Sequence, residues 1–68
     1  MNAQQLVGKN VAKYRKLKGL TQERLAQDAD VTEEYISQIE NQKRNPSVGL
    51  LERLCKVLGI DIVNLFEE

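Results

Sequence analysis

The sequence predicts an all-α fold of five short helices, and three observations carry that prediction. Apolar residues recur at spacings of three and four in successive windows, the signature of helices with one buried face. Ser, Thr, Asp, Gly and Pro stand between those windows, where helices start and stop. No stretch alternates apolar and polar residues for long enough to make a strand. Short helices with short connections then pack around one core.

The first helix is expected from about Ala3 to Lys18. Val7, Val11, Tyr14 and Lys18 fall at i, i+4, i+7 and i+11, with Leu6 and Leu17 beside them. Lys16 and Lys18 lie in its last turn, where the helix dipole favours cations. Gly19 supplies the left-handed residue that ends many helices, and Leu20 returns the chain to the core. Thr21 can cap a second helix from about Gln22 to Asp28, with Leu25, Ala26 and Ala29 on one face. Thr32 can cap a third from about Glu33 to Asn41, with Ile36 and Ile39 inward. Pro46 disfavours helical geometry at Asn45. Ser47 then caps a fourth helix, Val48 to Leu58, carrying Val48, Leu51, Leu54, Cys55 and Leu58. Gly59 stops it, and Asp61 opens a short last helix over Ile62 to Phe66. The expected core is Val7, Val11, Leu17, Leu20, Leu25, Ala26, Ala29, Val31, Ile36, Ile39, Val48, Leu51, Leu54, Cys55, Leu58, Ile60 and Leu65.

Residues 21–41 are the stretch the remainder is organised around. Two helices of about two turns, joined by about 3–4 residues, make a helix-turn-helix unit, whose second helix can enter a DNA major groove. Residues 1–68 are expected to form one domain, with a core small enough that oligomerisation would help it.

Composition removes several classes of function. The chain is 41% hydrophobic and 29% charged, which disfavours disorder, and no apolar run approaches about 18 residues. The N-terminus lacks a signal-peptide pattern, so a cytoplasmic location with no membrane association is expected. There is no histidine and one cysteine, Cys55. A histidine base, an intrachain disulfide and a cysteine-rich metal site are therefore absent. No nucleophile has an adjacent base and no glycine loop could cradle phosphate, so neither an enzyme nor a cofactor is expected.

Net charge is zero, but its distribution is banded. Residues 1–18 carry five cations and no acid, residues 19–42 carry six acids against Arg24, residues 43–56 are basic again, and residues 57–68 are acidic. Such a pattern can bind phosphate locally without a uniformly basic surface.

The residues resemble those of the XRE class, the Cro and lambda-repressor-like helix-turn-helix regulators. The matching pieces are Gly8-x-x-Val11, Arg15, Gly19-Leu20-Thr21-Gln22-x-x-Leu25-Ala26, Tyr35-Ile36-Ser37-x-Ile39-Glu40, Arg44-Asn45-Pro46-Ser47 and Leu51-x-x-Leu54-Cys55-x-x-Leu58-Gly59-Ile60. Their order and spacing run from Gly8 to Phe66. Three positions depart from the pattern: Gln42 where glycine is frequent, the acidic pair Glu33 and Glu34, and Cys55 where alanine is usual. The resemblance implies a five-helix domain that binds DNA, commonly as a homodimer on a near-palindromic operator. It implies that Gln22 holds a phosphate and braces the recognition helix, and that Arg15 and Glu40 form an ion pair.

Thr32, Glu33, Glu34, Tyr35, Ser37 and Gln38 are the candidates for contact with bases. Gln bonds adenine bidentately, Glu accepts from cytosine N4, and Thr or Tyr can meet a thymine methyl. Acids in a first turn also simply stabilise a helix, and Tyr35 can serve as a partly buried support. Asn41, Lys43 and Arg44 join Gln22 as phosphate candidates. The bland alternative for Lys43 and Arg44 is a solvated loop. Leu50, Val57, Ile62, Val63 and Phe66 remain after the core is assigned and suggest a face for a second copy; a last helix folded back over its own core is the alternative. Cys55 reads as a buried small residue or as a reactive thiol. The function expected is a sequence-specific DNA-binding regulator, most simply a homodimeric repressor, with RNA polymerase a further candidate partner. The rival reading is a protein-interaction module such as an antitoxin or anti-repressor subunit.

Overall fold

In the computed structural model, which describes residues 1–68, the order of elements is α1 (Ala3–Leu17), α2 (Gln22–Ala29), α3 (Glu33–Glu40), α4 (Val48–Leu58) and a terminal 3-10 helix (Ile62–Phe66). Four α-helices are present rather than five. The last segment is only five residues long and closes as a 3-10 helix, the geometry short helical pieces favour.

Each α-helix begins on a side-chain cap. Asn2, Thr21, Thr32 and Ser47 accept hydrogen bonds from the backbone N–H groups of Gln5, Arg24, Tyr35 and Leu50. Each also ends alike. The N–H of the residue after a left-handed turn reaches back five residues: Leu20 to Arg15, Val31 to Ala26, Lys43 to Gln38 and Ile60 to Cys55, at 2.8–3.0 Å. This is the Schellman closure, which satisfies carbonyls that a helix end would otherwise leave orphaned. Glycine takes the left-handed position after α1 and α4, as Gly19 and Gly59. Asp30 (φ 60°) and Gln42 (φ 63°) take it at the two ends of the α3 segment. Those conformations cost an L-residue about 1–2 kcal/mol.

All four α-helices enclose the core, with α2 packed on α3 and α4, α1 on α3 and the 3-10 helix on α1. Val11, Leu25, Ile36, Ile39, Leu54 and Leu65 are fully enclosed. Burying each such side chain contributes roughly 1.5–3 kcal/mol. Leu20, Val31 and Ile60 pack against this core while only partly buried.

Three expectations about the core are corrected. Leu17 is 72% exposed, because the stripe on α1 runs out of partners beyond Tyr14. Val48 is 68% exposed, on the outer side of the first turn of α4. Leu50, expected on a dimer face, is 3% exposed. It sits four residues before Leu54, which is itself four before Leu58, so all three share the buried face of α4. Leu6 and Asn10 are buried as well, though neither was expected to be.

Asn10 is the one polar residue buried as a whole, backbone and side chain together. Its amide donates to the carbonyls of Leu65 and Glu67, both at 2.9 Å. One turn further along α1, the Tyr14 hydroxyl donates to the Glu67 carboxylate, which also accepts from Asn64 at 2.8 Å and lies 3.6 Å from Lys13 Nζ. The C-terminal segment is thereby fastened to α1 by side chains that do not belong to the apolar pattern.

Candidate nucleic-acid interface

The helix-turn-helix unit is α2 and α3, and what matters for its use is how α3 is held. Two devices pin its C-terminal end. Gly8 of α1 lies directly beneath it: a Cβ at Gly8 would stand 2.4 Å from the Ile39 carbonyl oxygen. Only a residue without a side chain permits that approach.

The second device is a polar network. Arg15 donates from Nε to Glu40 Oε2 at 2.7 Å and from a terminal nitrogen to Oε1 at 3.0 Å. Its other terminal nitrogen donates to the Leu20 carbonyl at 2.8 Å. Gln22 Nε2 completes the set with a 2.9 Å bond to Glu40 Oε1. The side chains of Arg15 and Glu40 are only 12% and 6% exposed, so the ion pair the resemblance implies is present and buried. The carboxylate bond pushes the Arg15 pKa up, against the opposing effect of burial. Gln22 therefore braces α3 at its end, through Glu40. That bond uses one of the two hydrogens on Nε2, and the second stays available for another acceptor.

The outer face of α3 follows from the inward placement of Ile36 and Ile39. Thr32, Glu33 and Glu34 are exposed, while Tyr35, Ser37 and Gln38 are half-buried. The loop after α3 folds back along this face. Arg44 Nε donates to Gln38 Oε1 at 3.0 Å, and the Arg44 guanidinium lies 4.6 Å from the Tyr35 ring centroid. Gln38 Nε2 points to Glu34 Oε1 at 3.5 Å, and Asn41 Nδ2 to Ser37 Oγ at 3.3 Å. The sequence offers Arg44 as a phosphate contact or a solvated loop residue. Its stacking on Tyr35 was not legible, because it depends on the turn at Gln42. Asn41, Lys43 and Arg44 are all exposed.

The apolar residues proposed for a second copy do not form one face. Leu50 is in the core and Val57 is partly buried against it. Phe66 borders a small cleft with Ala3, Val7, Pro46 and Leu51. Ile62 lines an open groove of about 710 Å³ with Val48, Cys55 and Ile60, edged by Glu52, Arg53, Lys56 and Asp61. Val63 is 66% exposed. The Cys55 thiol is buried, and that burial pushes its pKa up, away from the reactive thiolate. No group of three His, Cys, Asp or Glu residues is placed to hold a metal ion, and no helix is long and apolar enough to cross a membrane.

A capped helix with a polar outer face, pinned from behind and set by a tight turn on a second helix, defines a helix-turn-helix domain. Comparison with known proteins agrees. A family model described as "Helix-turn-helix" matches residues 11–65, and the chain belongs to this family, the XRE class of transcriptional regulators. It is 40% identical over 65 residues to the "Uncharacterized HTH-type transcriptional regulator y4dJ" of Sinorhizobium fredii, covering 96% of this chain and 84% of that one. It is 38% identical over 64 residues to the "HTH-type transcriptional regulator SinR" of Bacillus subtilis, covering 93% of this chain but 58% of that one. A solved structure of SinR "in complex with DNA" superposes with a TM-score of 0.84 at 35% identity, over 90% of this chain and 98% of that chain. The restriction-modification controller protein C.AhdI of Aeromonas hydrophila superposes with a TM-score of 0.88 at 30% identity, over 93% of this chain and 96% of that one.

Proposed function

We propose that this DNA-binding transcriptional regulator acts as a homodimeric repressor on a near-palindromic operator, with α3 in the major groove. The observation that carries the proposal is the mounting of α3. Its inner side is fixed by Gly8 and by the buried Arg15–Glu40 pair, while residues 32–38 keep a polar side outward. In this reading Thr32, Glu33, Glu34, Tyr35, Ser37 and Gln38 meet base edges. Gln22, Asn41, Lys43 and Arg44 meet the phosphates on either side, and such contacts set register without reading sequence. The solved complex of SinR with DNA supports the assignment, since the two chains superpose over 90% of this one.

The second copy is assigned to the groove of Val48, Ile60 and Ile62 and the adjoining Val63. Glu52, Arg53, Lys56 and Asp61 around it carry both signs of charge, which suits a two-fold contact in which each patch meets its own copy. Two α3 helices would then lie about 34 Å apart, one turn of DNA. Repression follows from occupying promoter DNA that polymerase needs.

The test is a gel-shift titration with salt against duplexes selected from a random pool. Log K should fall linearly with log salt, with a slope near −0.9 for each phosphate contact. A flat response would favour docking to another protein instead. Val63→Glu should shift sedimentation toward monomer; an unchanged dimer would place the interface elsewhere.

A further inference from the structure

We propose that α3 reads a G·C base pair through a three-residue array, Arg44–Gln38–Glu34, in which Arg44 fixes the orientation of the Gln38 amide. The proposal rests on the reading of α3 as the DNA-reading helix and names what one part of it recognises.

The argument begins with the guanidinium. Arg44 has only donors, so the Gln38 atom facing its Nε at 3.0 Å must be the carbonyl oxygen. That places the amide NH2 on the opposite side, where the Glu34 carboxylate, an acceptor only, stands 3.5 Å away. Both neighbours demand the same orientation of the amide. The Tyr35 ring beneath Arg44 holds the planar guanidinium in place from a third side. Lysine could not reproduce this, having neither the fixed fork nor the flat face.

A free glutamine opposite adenine would use its oxygen and its NH2 together, accepting from N6 and donating to N7. Here the carbonyl is turned toward the guanidinium, which takes one of its two lone pairs and stands where adenine N6 would have to approach. Arg44 keeps both terminal nitrogens beyond its Nε bond, one for the phosphate assigned to it above and one for a base. The array then offers the base pair a donor on Arg44, a donor on Gln38 and an acceptor on Glu34. The major-groove edge of a G·C pair runs acceptor, acceptor, donor: N7 and O6 of guanine, then N4 of cytosine. The array complements that edge group for group. An A·T pair places the donor N6–H in the middle, opposite another donor. The same arrangement gives Glu34 a role beyond stabilising the first turn of its helix, because a carboxylate is what cytosine N4 requires.

Selection of bound duplexes from a random pool tests this with four proteins. Gln38→Ala identifies the operator position, as the one whose preference relaxes. The wild type should select G·C there by roughly tenfold or more. Arg44→Lys keeps the charge and so should leave the salt dependence unchanged, but it releases the Gln38 oxygen and should turn the preference at that position toward A·T. Glu34→Gln should weaken the G·C preference without creating one for A·T. A wild-type preference for A·T at that position, or an Arg44→Lys profile identical to the wild type, would overturn the inference while leaving α3 as the reading helix. Recovery of no enriched sequence at all would overturn both the inference and the function proposed above.

Discussion

Replacing Glu40 with alanine removes the acceptor of three hydrogen bonds at once: two from Arg15 and one from Gln22. The Arg15 side chain is 12% exposed, so water cannot freely replace what is lost. The guanidinium keeps only the Leu20 carbonyl. Leaving a buried charge without its partner costs roughly 3–5 kcal/mol, against about 0–1 kcal/mol for an exposed pair. A domain of this size has a total stability of about 3–10 kcal/mol, so the variant should be close to unfolding. For a domain of 60–100 residues each kcal/mol shifts Tm by about 4–8 °C, and a fall of at least ~12 °C is expected. Urea and thermal denaturation followed by circular dichroism would measure it. The double replacement of Arg15 and Glu40 by methionine should recover most of the loss, since it leaves no charge stranded. A loss below about 1 kcal/mol for Glu40→Ala would mean that the pair is solvated in solution, and the reasoning about how α3 is held would fail.

Three further outcomes are expected. Gly8→Ala should destabilise by about 1–3 kcal/mol, even though alanine is the better helix former, because its Cβ would meet the Ile39 backbone at 2.4 Å; a stabilised variant in the same denaturation assay would show that α1 and α3 can separate there at little cost. Gln42→Gly should stabilise by about 1 kcal/mol, since it relieves the φ of 63° and retains the backbone carbonyl that accepts from Gln4; a lower midpoint would show that the Gln42 side chain contributes more than its backbone costs. The Tyr14 hydrogen bond, with the one from Asn64, holds the Glu67 carboxyl below the ordinary glutamate range, and the same bond raises the Tyr14 phenol. A carboxyl more acidic in the folded state contributes stability that is complete above the unfolded value of about 4.3 and is lost as pH falls through the lower folded one. The phenol contributes below the ordinary tyrosine value and loses its contribution as pH rises through its own raised one. Carboxyl-carbon NMR should show Glu67 titrating low in the native chain and moving up in Tyr14→Phe; no movement would separate the two groups.

The helices were legible because their apolar spacing and their caps agree. Thr21, Thr32, Ser47 and Gly59 stand where they were expected to, and α4 spans the expected Val48–Leu58. The misjudged residues lie on stripes whose width depends on neighbours. Leu50 and Leu17 both occupy helical apolar positions, yet one is enclosed by the bundle and the other projects past it. Spacing along a helix cannot reveal where the next helix ends. Asn10 and Tyr14 were missed as fasteners for a related reason. Their partners lie 53 to 57 residues away along the chain, and nothing local marks such a pairing. The Arg15–Glu40 pair was readable only through the family resemblance. The Arg44 stack on Tyr35 was not readable at all, since it requires the left-handed turn at Gln42.

The fixings of α3 gather at one end of it and beneath it, at Gly8, Arg15, Gln22 and Glu40. Glu33 and Glu34, at the other end, take no part in them. On the function proposed above, the lettering on this helix is mounted separately from the frame that carries it. Substituting other residues for Glu33 and Glu34 would then give daughter proteins new vocabularies with one inherited scaffold, whereas any change at Gly8 or Glu40 would be felt by every operator alike.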